Sequence, residues 1–150
     1  MITAHISPPP IEWETLGKDI YAIETAIFGS KAFSESFLQT DLSNHDVVVA
    51  ILKDGDKVIG FAYALPEDEE TVCVADIAIS AEYQNRGLVA TIMSCLETAL
   101  KQKGYLYMTE HAMVENGYAA KIKKHYNARI IETSDFVGEY GKQTYFKIHL

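Results

Sequence analysis

Apolar and polar positions change period several times along the chain, and each change marks an element. Ile2, Ala4 and Ile6 alternate with polar residues, which predicts a short strand, and Pro8-Pro9-Pro10 closes it as a rigid spacer. Ile20, Ile23 and Ile27 then recur at helical spacing, and Gly29 is placed to stop that helix. Ser34 can cap a second short helix carrying Phe37 and Leu38. Three strand-like runs follow: Val47–Leu52, Val58–Leu65 and Thr71–Ile79. Turn residues at 53–57, and an acidic loop Glu67-Asp68-Glu69-Glu70 after Pro66, connect them, so they read as an antiparallel meander.

Leu88, Ile92, Leu96 and Leu100 are spaced by four, the stripe of an amphipathic helix that ends at Gly104 with Lys101 and Lys103 in its last turn. Tyr105–Glu110 is a strand. Asn116 is a good cap for a helix carrying Tyr118, Ile122 and His125, and short strands at Arg129–Thr133 and Thr144–Ile148 finish the chain. The strand after the long helix is expected to run parallel to the strand before it, because a helical crossover is the usual parallel connection. The fold class is therefore α+β: a mixed, mostly antiparallel sheet of about seven strands with about four helices on its two faces.

Length and composition narrow the function. At 150 residues and 48% hydrophobic, the chain reads as a single domain over 1–150. It carries 13 basic and 21 acidic residues, a net charge of −8, the reverse of the basic excess expected of a nucleic-acid binder. A cationic partner is easier to accommodate. No apolar run approaches the roughly 18 residues of a membrane span, and the N-terminus lacks the charged and apolar regions of a signal peptide. The two cysteines, Cys73 and Cys95, sit in apolar runs and form no CxxC pair; they read as reduced core residues of a cytoplasmic protein with no metal site.

There is no phosphate-binding GxxxxGK[ST], no GxGxxG, no GxSxG and no HExxH. What remains is Tyr83-Gln84-Asn85-Arg86-Gly87-Leu88-Val89 between a strand and a helix. Gly87 allows a close backbone approach, and the first-turn amides of the helix lack intrahelical partners at the positive end of its dipole. An anion such as a pyrophosphate can settle there, with Arg86 adding charge. An ordinary strand–helix turn would look the same from the glycine alone.

The stretch Val74-Ala75-Asp76-Ile77-Ala78-Ile79-Ser80-Ala81-Glu82-Tyr83-Gln84-Asn85-Arg86-Gly87-Leu88-Val89 closely resembles motif A of the GCN5-related N-acetyltransferases, whose pattern is a strand followed by Q/R-x-x-G-x-G/A opening a helix. Gln84 and Gly87 match; Val89 stands where that family carries Gly or Ala. The order of elements also resembles the family's along most of the chain, and a narrower likeness touches the branch that acetylates protein N-termini. The resemblance implies acetyl-CoA as co-substrate and an amine acceptor: a protein N-terminus, a polyamine or a small amine. On that model the amides of Asn85, Arg86, Gly87, Leu88, Val89 and Ala90 cradle the pyrophosphate, with Gln84 and Asn116 beside the cofactor. Backbone groups of Ile77, Ala78 and Ile79 pair with the pantetheine arm, and the Ile79 amide polarises the thioester. The two central strands splay to leave a slot between Ile79 and the strand Tyr107–Glu110.

The attacking amine must lose a proton, and a carboxylate can take it. Glu110 is the first choice for that base and Asp76 the second; each could equally be a structural carboxylate. For the acid that protonates the departing thiolate, Tyr126 is the first choice, with His125 and Tyr118 behind it. Lys121 and Lys124 could join Arg86 around the phosphates, and the acidic loop at 67–70 could attract the acceptor. A homodimer is a common assembly in that family. Two other readings stay open: a non-catalytic acyl-CoA-binding module on the same scaffold, favoured by Val89, and an interaction domain without a CoA site.

Overall fold

A computed structural model describes all residues, 1–150. Seven strands form one sheet: β1 (Ile2–Ser7), β2 (Val48–Asp54), β3 (Lys57–Pro66), β4 (Thr71–Ile79), β5 (Tyr107–Met113), β6 (Ile130–Gly138) and β7 (Gly141–His149). Their order is β1-β2-β3-β4-β5-β7-β6. Every neighbouring pair is antiparallel except β4 and β5. The connection between those two is the long helix, α3 (Leu88–Gln102). Helices α1 (Lys18–Phe28) and α2 (Glu35–Leu42) cover one face; α3 and α4 (Tyr118–Tyr126) cover the other.

Two covered faces explain the unbroken apolar run of β2. Val48, Ala50 and Leu52 pack into the core under α3 and α4, while Val47, Val49 and Ile51 pack under α1 and α2. Ser34 caps α2 as its sequence position suggests, its hydroxyl accepting from the Phe37 amide at 3.2 Å.

The feature that positions the site lies in the middle of the sheet. Tyr63 pairs with Asp76 but Ala64 pairs with Val74, so Ala75 is an extra residue in β4, a β-bulge. Pairing of β4 with β5 ends at the same point: it runs from Thr71↔Tyr107 to Val74↔Glu110 and no further. Beyond it β4 stays on β3, and β5 continues along β7 as far as Met113↔Gln143. The strands therefore splay as expected, but past Glu110. The gap lies between Ala75–Ile79 and His111–Met113, and residues 107–110 on the paired side of it are closed.

The last hairpin is longer than the short strands read from sequence. Gly138 faces Gly141 across a two-residue turn, Glu139-Tyr140. β6 is the sheet edge, exposed from Ile131 to Val137, so it has no buried face to impose alternation.

Candidate active site

The link from β4 to α3 forms a concave loop. Asn85 (φ 62°) and Gly87 (φ 74°) are both left-handed, which turns successive amides toward one side. No side chain caps α3, so its first-turn amides keep no partner within the protein. The Gln84 side-chain amide donates to the Ile79 carbonyl at 2.9 Å and ties the loop to the end of β4. In front of the loop is a chamber of about 320 Å³ between the start of α3 and α4. Lys121 supplies its cationic lining.

A larger cleft of about 710 Å³ fills the gap between β4 and β5. Ile79, Gln84, Val89, Tyr118 and Lys121 line both spaces, so the two adjoin. Val89 is 41% exposed and stands at this seam. The Ser80 amide donates across to the Ile59 carbonyl on β3 at 2.8 Å. Backbone groups alternate along a strand, so Ile79 and Ile77 turn theirs into the cleft. The Ile77 amide is taken by its neighbour, Asp76 Oδ1, at 2.9 Å; the Ile79 amide is not.

Three carboxyls face this cleft: Glu24 and Glu110, both buried, and half-buried Asp76. Each has one oxygen without a hydrogen-bond partner: Glu24 Oε2, Asp76 Oδ2 and Glu110 Oε2. Glu110 is 3% exposed, and the Tyr118 hydroxyl donates to its Oε1 at 2.9 Å. Burial pushes the Glu110 carboxyl up to about 7, the Tyr118 bond pulling against it. Burial and the facing Glu110 charge hold the Tyr118 proton well above the ordinary phenol range. Across the gap, on the α1 face, Glu24 and Asp76 lie within hydrogen-bonding reach of each other. Burial raises both, and the facing carboxylate raises Glu24 further, so the pair holds a proton with Glu24 as its seat.

The model of the acetyltransferase (GNAT) family matches residues 13–122 of the chain. The chain belongs to this family. A search of curated protein sequences finds no match. Among solved structures, the chain is similar to a GNAT family acetyltransferase from Elizabethkingia anophelis with acetyl-CoA bound, at 15% identity and a TM-score of 0.69 over 99% of this chain and 98% of that one. It is similar to the ribosomal-protein-S18-alanine N-acetyltransferase of Escherichia coli at 17% identity and a TM-score of 0.73, over 99% and 93% of the two chains. Ard1 from Thermoplasma volcanium gives a TM-score of 0.79 at 10% identity, over 98% and 97%. These neighbours share the fold.

Within this GNAT chain, several residues singled out by sequence sit elsewhere than expected. Tyr126 is buried and its ring borders the smaller chamber, but its hydroxyl donates to Glu97 Oε2 at 2.7 Å. Arg129 holds the other Glu97 oxygen at 2.9 Å and lies over the Tyr126 ring. Tyr126 thus serves a buried cluster between α3 and α4, while Tyr118, eight residues earlier, carries its hydroxyl to Glu110. Arg86 bends back to the Glu82 carbonyl at 2.8 Å and lies over Tyr83, so its guanidinium lines neither space. Lys124 lines neither as well. Asn116 borders the cleft, but its side-chain oxygen accepts the Tyr118 amide at 3.0 Å and helps to start α4. The acidic loop 67–70 precedes β4, at the opposite end of that strand from the gap. There Asp68 accepts the Glu70 and Thr71 amides, and Glu67 accepts the Thr109 hydroxyl.

Glu24 is a cleft residue that the sequence pattern alone does not single out. A signal existed: it stands beside Ile20, Ile23 and Ile27 on the apolar stripe of α1 and is 2% exposed. An acid on a core-facing stripe needs a reason.

Proposed function

We propose that residues 1–150 form one acyltransferase unit that moves the acetyl group of acetyl-CoA directly to a primary amine. The observation that carries this reading is the hydrogen-bonded pair of buried Glu110 and half-buried Tyr118: both line the cleft, and Tyr118, like Ile79, lines the smaller chamber as well. The residues present fit the co-substrate. The unpartnered amides of residues 85–90 suit a diphosphate. The Ile77 carbonyl and Ile79 amide, on the edge of β4 that has no strand partner, offer strand-like pairing to a pantetheine arm, and the splayed gap gives that arm room. Acetyl-CoA supplies an acyl carbon activated as a thioester.

The residues of the chain do the rest. The Ile79 amide donates to the thioester oxygen as negative charge grows there. Glu110, ionised, takes the proton of the incoming ammonium through its unpartnered Oε2, leaving a neutral amine to form the C–N bond. As the C–S bond breaks, Tyr118 gives its hydroxyl proton to the sulfur. It regains one from Glu110, to which it is already hydrogen-bonded. Protons balance: the first proton from the ammonium passes through Glu110 and Tyr118 to the sulfur, so CoA leaves as the thiol, and the amide nitrogen loses its second to the regenerated Glu110 carboxylate, which releases it to water. The role first assigned to Tyr126 passes to Tyr118, and Asp76 becomes part of the acceptor's surroundings.

The test is thiol release on mixing the protein with acetyl-CoA and a panel of small amines, polyamines and peptide N-termini. Acetyl-CoA-dependent release that requires an amine supports the reading. Tight acetyl-CoA binding with no release from any acceptor would leave a binding module on the same scaffold.

A further inference from the structure

The Glu24–Asp76 pair has no task in the transfer just described, and no cation of the fold forms an ion pair with it; only backbone amides, Ile77 on Asp76 and Phe33 on Glu24, bear on its charge. The four ion pairs of the protein involve neither residue, nor Glu110. Lys31 and Lys121 line the same cleft without forming an ion pair to any of the three carboxyls. Tyr63 sits opposite Asp76 on β3 with its hydroxyl donating to Asp41 of α2, and Tyr140 in the β6–β7 turn lines the same cleft; none of these is a cation.

An acidic cluster alone is ordinary, but here both residues line the cleft, Glu24 is 2% exposed, and Glu24 Oε2 and Asp76 Oδ2 are buried with no partner. Buried carboxylate oxygens left unpaired are costly. A guest with N–H donors and positive charge relieves that cost; a hydroxyl supplies one donor and no charge. Position decides which part of the guest this is. Glu110 lies on the α4 face with Tyr118, whereas Asp76 lies on the α1 face, two residues past Val74, the pairing partner of Glu110. Strand spacing puts the two carboxylate sites on the order of 10 Å apart through the gap.

The geometry points to an acceptor with two cationic nitrogens, one reacting at Glu110 and Tyr118 while the other is held by Glu24 and Asp76: an α,ω-diamine or longer polyamine. This rests on the acyltransfer reading and names its acceptor class. Glu24 and Asp76 are binding residues for the distal ammonium, which on entering displaces the proton held between them.

The experiment compares hexylamine with hexamethylenediamine, and butylamine with putrescine, by acetyl-CoA-dependent thiol release. For wild type, kcat/KM is expected to favour the diamine of a pair by about tenfold or more, beyond the statistical advantage of its two ends. In Glu24→Gln that ratio should collapse toward the statistical value, through KM for the diamine. Calorimetry of hexamethylenediamine on the CoA-loaded protein, in buffers of different ionisation enthalpy, should show proton release in wild type and little in Glu24→Gln. Equal efficiency for mono- and diamines in wild type, or better turnover of a peptide N-terminus than of either, overturns the proposal and leaves acyl transfer standing. Diamine binding with proton release but no thiol release from any amine supports the cation site and overturns the acyltransfer reading instead.

Discussion

Replacing Glu110 by Gln removes the proposed base while keeping its shape and the oxygen that accepts from Tyr118. A primary ammonium ordinarily titrates near 10.4, so passing its proton to an ordinary carboxylate of 4.5 is uphill by roughly 8 kcal/mol. With Glu110 raised to about 7, the same step is uphill by roughly 5 kcal/mol. Burial of this one side chain therefore brings the proton transfer about 3 kcal/mol nearer to level. In wild type, kcat should rise with pH and inflect near 7, because the base must be ionised to act. In Glu110→Gln only amine that is already neutral can react. The rate should fall roughly 100- to 10,000-fold near pH 7, and the gap should narrow toward pH 10 as free amine accumulates. The same group leaves a mark on stability. Between 4.5 and about 7 the native protein holds a proton that the unfolded chain has released, so stability falls as pH rises through that window, by up to about 3 kcal/mol from Glu110. Urea unfolding at pH 5 and pH 8 should show that decline in wild type and less of it in Glu110→Gln. A Gln variant with wild-type kcat and an unshifted profile would refute Glu110 as the base.

Tyr118→Phe should lower kcat by about tenfold or more. It should also move the kcat inflection above 7, because the lost hydroxyl holds Glu110 down; the pH profile reads both. Tyr126→Phe should weaken the fold by about 1.5–3 kcal/mol, the worth of a hydrogen bond to a buried carboxylate, with thiol release near wild type; a large loss of rate with intact folding would return the acid role to Tyr126. Gly87→Trp meets no heavy atom within 4 Å at its Cβ, so the fold should survive the roughly 1–2 kcal/mol of left-handed strain. Acetyl-CoA affinity by calorimetry should drop at least tenfold (about 1.4 kcal/mol) as the indole fills the cradle.

What could be read from the chain follows from which interactions are local. Helices α1 to α4 and strands β1 to β4 announce themselves because buried faces impose a period, as in the Ile20-Ile23-Ile27 and Leu88-Ile92-Leu96-Leu100 stripes. The concave loop at Gly87 was legible because left-handed backbone needs glycine or a residue such as Asn85. The long β6 was not, since an edge strand with both faces in water has no alternation to show. Neither was the choice between Tyr118 and Tyr126: both lie on α4, and only tertiary packing sends one hydroxyl to Glu110 and the other to Glu97. Arg86 reads as a phosphate ligand by position, yet the Tyr83 ring and the Glu82 carbonyl are nearer partners. The Glu24–Asp76 pair joins residues of α1 and β4 far apart in sequence. Only the odd acid on each apolar element hinted at it.

The most direct test of the central claim is a crystal structure of the protein with acetyl-CoA. The diphosphate should rest on the amides of residues 85–90, the pantetheine should run along Ile77–Ile79 in the gap, and the sulfur should lie beside the Tyr118 hydroxyl. A cofactor bound elsewhere, with the gap between β4 and β5 empty, would contradict it.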